Sequence, residues 1–415
     1  FSRFFMQKQY YPITPYVFIF TLSIVLLNLT FVIFPAFLIA NIESIDIEIN
    51  PFEIGNNAPL LLTSNIILFL IWYIHSKQKF TSFSNFINNL QTFDISKKIA
   101  ILVGIVILII YSGFTIPELF IDESTQFADY QILVRSLDVF PNTDTDDIYV
   151  NEQNSRYFRM LLLSFSQEFL QNIKIIPFLS SLLLVIITAL FTISHSKNNL
   201  SGIISMVILL QGFTFLEYDS IAVYENIWVL LFISSIFVLN SKWFISGPLY
   251  ILSVLTKAFS APFIIFNLFY VLNSDMLRSI KLKIISVYLS ITALFIIYFL
   301  SGDTIYDKII TIDFNRFLYS LSDFSSQMRF DYILLILLLP TTIGLYSLAK
   351  NGIKFANSLL FFLGGLLLMG PVVALITDFY VILPYRFVPL LVFFSIAVAL
   401  IFFGTPKLED APSSN

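Results

Sequence analysis

Long uncharged apolar runs recur along the whole chain, separated by short polar loops. A run of about 17 residues or more is long enough to cross a bilayer core roughly 30 Å thick. Inside lipid every backbone N–H and C=O must find its partner within its own segment, so such runs are helices. This holds despite the Ile, Val and Phe content, which in water would favour strands. Only 12% of the 415 residues are charged and 57% are hydrophobic, against about 25% charged in a soluble domain. The expectation is an all-α polytopic membrane protein of about 12 transmembrane helices. The spans fall near 14–40, 59–75, 98–115, 174–194, 199–216, 225–240, 243–256, 258–273, 284–300, 332–349, 356–377 and 386–404. The first run is too long for a signal peptide and has no small-residue cleavage site, so it reads as a retained helix.

Sidedness follows from lysine and arginine. With the N-terminus on the cytoplasmic side, most of the 23 basic residues fall in short inner loops, among them Lys77, Lys97, Lys197, Lys242, Lys281, Lys350 and Lys354. Both termini are then inside and residues 405–415 form a cytoplasmic tail. Two polar segments are long and lie outside, 116–172 and 301–331. In the first, Phe127, Tyr130, Gln131 and Val134 make one helical stripe, and Phe158, Leu161, Leu162, Phe165 and Phe169 make another. Each predicts an amphipathic helix lying in the membrane interface. Tryptophans 72, 228 and 243 stand near expected helix ends, where indoles anchor to the interface.

Several chemistries are excluded by composition. There is no cysteine, hence no disulfide or thiolate site, and only two histidines, His75 and His195. No GxGxxG, Walker A or HExxH motif occurs, so neither a nucleotide nor a zincin site is implied and no nucleic-acid partner is expected. The spans are almost free of charge, which argues against an ion-coupled transporter.

The polar residues that could carry chemistry lie on the outer side. Asp122 and Glu123 directly follow the third span, where partial desolvation would raise a carboxylate towards the range of a general base; a solvated loop pair would look the same. Tyr218, Asp219 and Glu225 stand between two apolar spans. Glu225 suits a site carboxylate, a ligand for a divalent metal, or an acid complementing a helix N-terminus. Lys257 interrupts an apolar hairpin, fitting either an anionic headgroup or a snorkelling cation. Arg386 precedes the last span, with Asp378 as a candidate ion-pair partner, and Arg135, Arg156 and Arg159 supply further outer cations.

In order, the segments Phe-Ile-Asp-Glu-Ser-Thr-Gln-Phe-Ala, Tyr-Asp-Ser-Ile-Ala-Val-Tyr-Glu (218–225), Leu-Thr-Lys (255–257) and Pro-Tyr-Arg-Phe (384–387) resemble the GT-C superfamily of membrane glycosyltransferases. The similarity is strongest to its protein mannosyltransferase and aminoarabinose transferase branch, over 98–404, with 1–97 as a two-helix extension. The resemblance implies a polyprenyl- or dolichyl-phosphate sugar donor and an inverting transfer to an acceptor glycan, lipid or protein on the outer face. Asp122 would be the base, with Glu123 adjoining it. Glu225 would orient the acceptor or a metal, and Lys257 and Arg386 would hold the lipid phosphate, with Arg135 and Arg156 nearby and Tyr218 and Asp219 lining the site. No cofactor is required by this reading, although a divalent metal is used in some branches. The chain departs from the family in lacking the Pro-Pro after the first loop acids, the Trp-Trp-Asp-Tyr-Gly motif and a soluble C-terminal domain. The competing readings are a non-catalytic polytopic subunit that scaffolds a membrane complex, and a transporter of lipid-linked glycans.

Overall fold

A computed structural model of the protein describes residues 12–37, 50–77, 85, 89, 93–142, 146–301, 312–376 and 383–403. The expected tail 405–415, Asp378, and 302–311 of the second polar segment lie outside these residues. Among the described residues every regular element is a helix. The elements are α1 (Thr14–Ile33), α2 (Ala58–Ser76), α3 (Lys97–Thr115), α4 (Asp129–Val139), α5 (Ile148–Ser155), α6 (Tyr157–Leu170), α7 (Ile175–Ser196), α8 (Asn199–Leu210) and α9 (Phe213–Glu217). There follow α10 (Ile227–Phe237), α11 (Leu239–Thr256), α12 (Ile264–Asn273), α13 (Arg278–Ser301), α14 (Phe314–Gln327), α15 (Tyr332–Lys350), α16 (Lys354–Ile376) and α17 (Val388–Phe403).

Among the described residues, seven helices are long and apolar enough to cross a membrane: α1, α2, α3, α7, α15, α16, and α17 with the short turn Pro384–Phe387 ahead of it. The protein is thus a multi-pass helical membrane protein, and these helices account for seven of the about 12 expected crossings. Helices α8 and α10 have 12 and 11 residues, about 18 Å of rise, well short of a hydrocarbon core. The run 243–256 starts inside α11, whose backbone leaves helical geometry at Lys242 (φ −135°, ψ 59°).

The bundle is organised around α16 and α17, the two most enclosed of the candidate spans. Helix α1 packs along α16 and α15, and α14 packs on α16 from the other polar segment. These contacts are sealed by hydrogen bonds from Thr21 Oγ1 to Leu360 O (2.8 Å) and from Ser325 Oγ to Asn28 Oδ1 (2.9 Å). By contrast α2 and α3 are mostly exposed along apolar faces, as helices meeting lipid are. Trp72 is exposed, but Trp228 is fully buried against Phe259 and Phe263, so its role is in the core and not at an interface.

A second, smaller apolar cluster stands apart from this core. It joins Leu133, Met160 and Leu163 of the 116–172 segment to Ile221, Ala222 and Val223, and to Tyr385. It is this cluster that brings the candidate residues together.

Candidate functional site

The site is built around a loop that ought to be costly. Residues 218–226 join α9 to α10, and nearly all of them are buried. A buried loop needs partners for every backbone polar group. Two charged side chains provide them from opposite sides. The Glu123 carboxylate accepts from the amides of Ala222 (2.9 Å) and Val223 (3.4 Å). The Arg159 guanidinium donates through Nη2 to the carbonyls of the same two residues, at 3.1 and 2.8 Å. Asn226 Nδ2 donates to Tyr218 O at 3.2 Å.

Each clamp is anchored in turn. Arg159 Nε donates to Glu225 Oε2 at 2.9 Å, and Arg159 Nη1 donates to Gln153 Oε1. Arg159 and Glu225 are respectively 1% and 0% exposed, so this is a buried, charge-assisted pair. Lys174 Nζ lies 3.5 Å from Glu123 Oε1 and donates to Glu118 O at 2.7 Å. Burial pushes the Glu123 carboxyl up, while the amides and Lys174 pull it back. Asp219 is also buried. Its Oδ2 accepts from Thr115 Oγ1 at 3.0 Å, and burial raises its carboxyl to about 7.

Asp122 differs from these acids. It is exposed, and its carboxylate caps the turn Glu123–Thr125, accepting from Ser124 N at 2.9 Å and Ser124 Oγ at 2.5 Å. Those two bonds hold its carboxyl below the usual range, so the rise by desolvation expected of this acid pair is not found at Asp122.

Lys257 and Arg386, distant in sequence, converge on one ring. Lys257 Nζ lies 4.0 Å from the Tyr385 ring centroid, Arg386 Cζ lies 5.7 Å from it, and Arg386 Nε donates to Tyr385 Oη at 3.3 Å. Tyr385 stacks on Tyr224 (4.7 Å, 12°) and meets Tyr218 edge-on, while Arg386 also rests on Phe259 at 4.7 Å. Lys257 is buried, which lowers its ammonium to about 8, while Glu225 acts on it in the opposite sense. Its ammonium also lies over the Tyr385 and Tyr224 rings, a geometry that stabilises a desolvated cation.

The predicted residues therefore separate into two groups. Glu225, Lys257, Tyr218 and Arg386 form one connected chain running Arg159–Glu225–Lys257–Tyr385–Arg386. Glu123 joins it through the loop backbone, and Asp219 sits beside that loop. Asp122 lies at the surface next to Glu123. Arg156 pairs with Glu152 one turn away at 2.8 Å and acts electrostatically on Lys257, while Arg135 is exposed on α4. Among the described residues no three His, Asp or Glu side chains converge as a metal donor set.

Sequence reasoning gave Arg159 only as a further outer cation and did not assign Lys174, Tyr224 or Tyr385 to the site. The face of α6 explains why. Its buried residues are Arg159, Met160, Leu163 and Ser166, whereas Leu161, Phe165 and Phe169 of the expected apolar stripe are exposed. An arginine beside Met160 on the narrower inward face was the available signal.

A comparison of the sequence with protein-family models, curated proteins and solved structures finds no match.

Proposed function

We propose that this chain is a GT-C-type membrane glycosyltransferase that moves a sugar from a polyprenyl or dolichyl phosphate to an acceptor hydroxyl on the outer face of the membrane. The observation that supports this reading is the convergence of Lys257 and Arg386 on Tyr385, where a run of apolar helices meets a polar loop cluster. Two cations on one aromatic face suit a phosphate that arrives with a lipid tail. As the anomeric C–O bond breaks, the electron pair leaves with the phosphate, and Lys257 and Arg386 neutralise the departing charge. The acceptor oxygen attacks the opposite face of the anomeric carbon, inverting it, and its proton passes to Asp122. The buried clamp of Glu123, Arg159 and Glu225 keeps the loop between these groups in place. The helices α4 and α6 lie at the interface in this scheme, with Phe165 and Phe169 turned to lipid. No step requires a metal.

The test is transfer of radiolabelled sugar from a panel of polyprenyl-phosphate donors by the purified protein. Asp122→Asn is expected to lower turnover by about 10²–10⁴-fold, the usual contribution of a general base. Lys257→Met is expected to raise the KM for the donor. A wild-type rate in the Asp122→Asn protein removes Asp122 as base, and no transfer by the parent protein with any donor removes the reading.

One observation favours the second reading, a non-catalytic polytopic subunit. Glu123 and Glu225, two of the three expected catalytic acids, take part in the clamp on a buried loop, Glu225 through Oε2 alone. That reading predicts co-purification of a stoichiometric membrane partner and no transferase activity without it.

A further inference from the structure

The far end of the bundle carries a cavity of about 360 Å³, open to one side and lined by residues of α7, α11, α12 and α16 and by the α12–α13 turn. Helix α7 starts beside Lys174 of the loop cluster and reaches this cavity at His195. Its 22 residues separate the two places by about 33 Å. The cavity therefore has no part in the site described above, and its size lies within the range of small-molecule pockets.

Its inner wall is polar and tightly organised. The Tyr270 hydroxyl lies 2.9 Å from His195 Nε2 and accepts from Asn240 Nδ2, and the His195 ring stacks on Phe355 at 3.6 Å. Asn273 Nδ2 donates to Ser358 Oγ at 3.0 Å, which leaves the Ser358 hydroxyl its own hydrogen to give. The rim is cationic. Lys354 and Asp275 meet there as an ion pair, with the Asp275 side chain 83% exposed. Lys281 is tied to the same rim through the carbonyls of Leu272 (2.8 Å) and Ser274 (2.6 Å), and is within electrostatic reach of both Lys354 and Asp275. Lys197 acts on His195 from the end of α7. Two cations, Lys354 and Lys281, thus meet one carboxylate, and the Asp275 side of the ion pair is exposed to solvent, where such pairs contribute little. The first residues of α16 also border the cavity, adding the positive end of a 23-residue helix.

We propose that this cavity binds a phosphate group, with Lys354 leaving Asp275 to pair with it and Tyr270 and Ser358 contacting the group that bears it. Basic pockets between membrane helices receive anionic headgroups in this way, and a soluble phosphate ester presents the same chemistry.

The test is isothermal titration calorimetry of the full chain in neutral detergent. Glycerol 3-phosphate and dioctanoyl phosphatidic acid are the probes, and glycerol is the uncharged control. Saturable binding of phosphatidic acid alone identifies a lipid headgroup as the occupant. Binding of both probes identifies a site that reads the phosphate whatever carries it. In either case Lys354→Gln is expected to weaken binding at least tenfold. Tyr270→Phe, which keeps the ring, is expected to weaken it by a smaller factor. Lys350→Gln, on an exposed lysine outside the cavity, is expected to bind like the parent. The proposal is overturned if neither probe saturates, if glycerol binds equally, if Lys354→Gln binds unchanged, or if Lys350→Gln loses as much as Lys354→Gln.

Discussion

At the scale of single residues, burial decides what each charge can do. Arg159 and Glu225 are taken out of water together and pair through Nε and Oε2, while Arg159 also holds two carbonyls. Removing one partner strands a buried charge, which costs about 3–5 kcal/mol. Arg159→Met is thus expected to lower the melting temperature far more than Arg135→Met on the exposed face of α4, measured by tryptophan fluorescence in detergent. Equal shifts would show that the clamp does not bear on stability. Asp219 gives a pH signature. Its carboxyl rises from 3.8 in the unfolded chain to about 7 in the fold, so the folded state holds the extra proton between those values. Its contribution is fully present below pH 3.8 and is lost as pH rises to about 7, a change of about 4 kcal/mol at most. Asp219→Asn cannot ionise and is expected to melt above the parent at pH 8, with the difference vanishing near pH 4. A difference independent of pH would assign the effect to packing. The type and position of these residues were readable in the sequence. Which carboxylate is buried and which is free was not, because the adjacent Asp122 and Glu123 differ only in the side of a single turn they occupy.

At the scale of elements, helices were legible and their faces were not. Long uncharged runs predict helices on length alone, and α2, α3, α7, α15 and α16 match the expected spans to within a few residues. Hydrophobic periodicity on α6 located an exposed apolar stripe but not the buried face that carries Arg159. In water the apolar stripe must turn inwards, but beside a membrane it can turn to lipid, so periodicity locates a stripe without saying what covers it. Close helix approach is similarly invisible from a single chain. At Gly202 on α8 an added Cβ would lie 2.5 Å from Ile193 Cγ1 and 3.1 Å from Ala189 O of α7, whereas at Gly113 on α3 it would meet nothing within 4 Å. Small residues let membrane helices approach in this manner. Gly202→Val is expected to lower the melting temperature clearly and Gly113→Val to leave it nearly unchanged. The reverse order would refute the α7–α8 packing.

For the whole molecule, the absence of cysteine makes sidedness directly measurable, since any introduced thiol is the only one. The lysine and arginine distribution predicts that Gln126→Cys reacts with a membrane-impermeant maleimide from outside sealed right-side-out vesicles. Lys350→Cys, at the opposite end of the bundle, is expected to react only after permeabilisation. Labelling of both from one side would reject the topology. The sequence by itself determined that this is a helical membrane protein and where its polar interruptions lie, because the cost of unpaired backbone in lipid leaves a long apolar run no other form. Only the tertiary structure decided which interruptions meet. Glu123, Arg159 and Glu225 were drawn into one clamp because a buried loop at 218–226 had backbone groups to satisfy. Lys257 and Arg386 were drawn to one tyrosine because a desolvated cation stabilises itself on an aromatic face. Both outcomes depend on contacts between residues remote in the chain, and no local pattern encodes them.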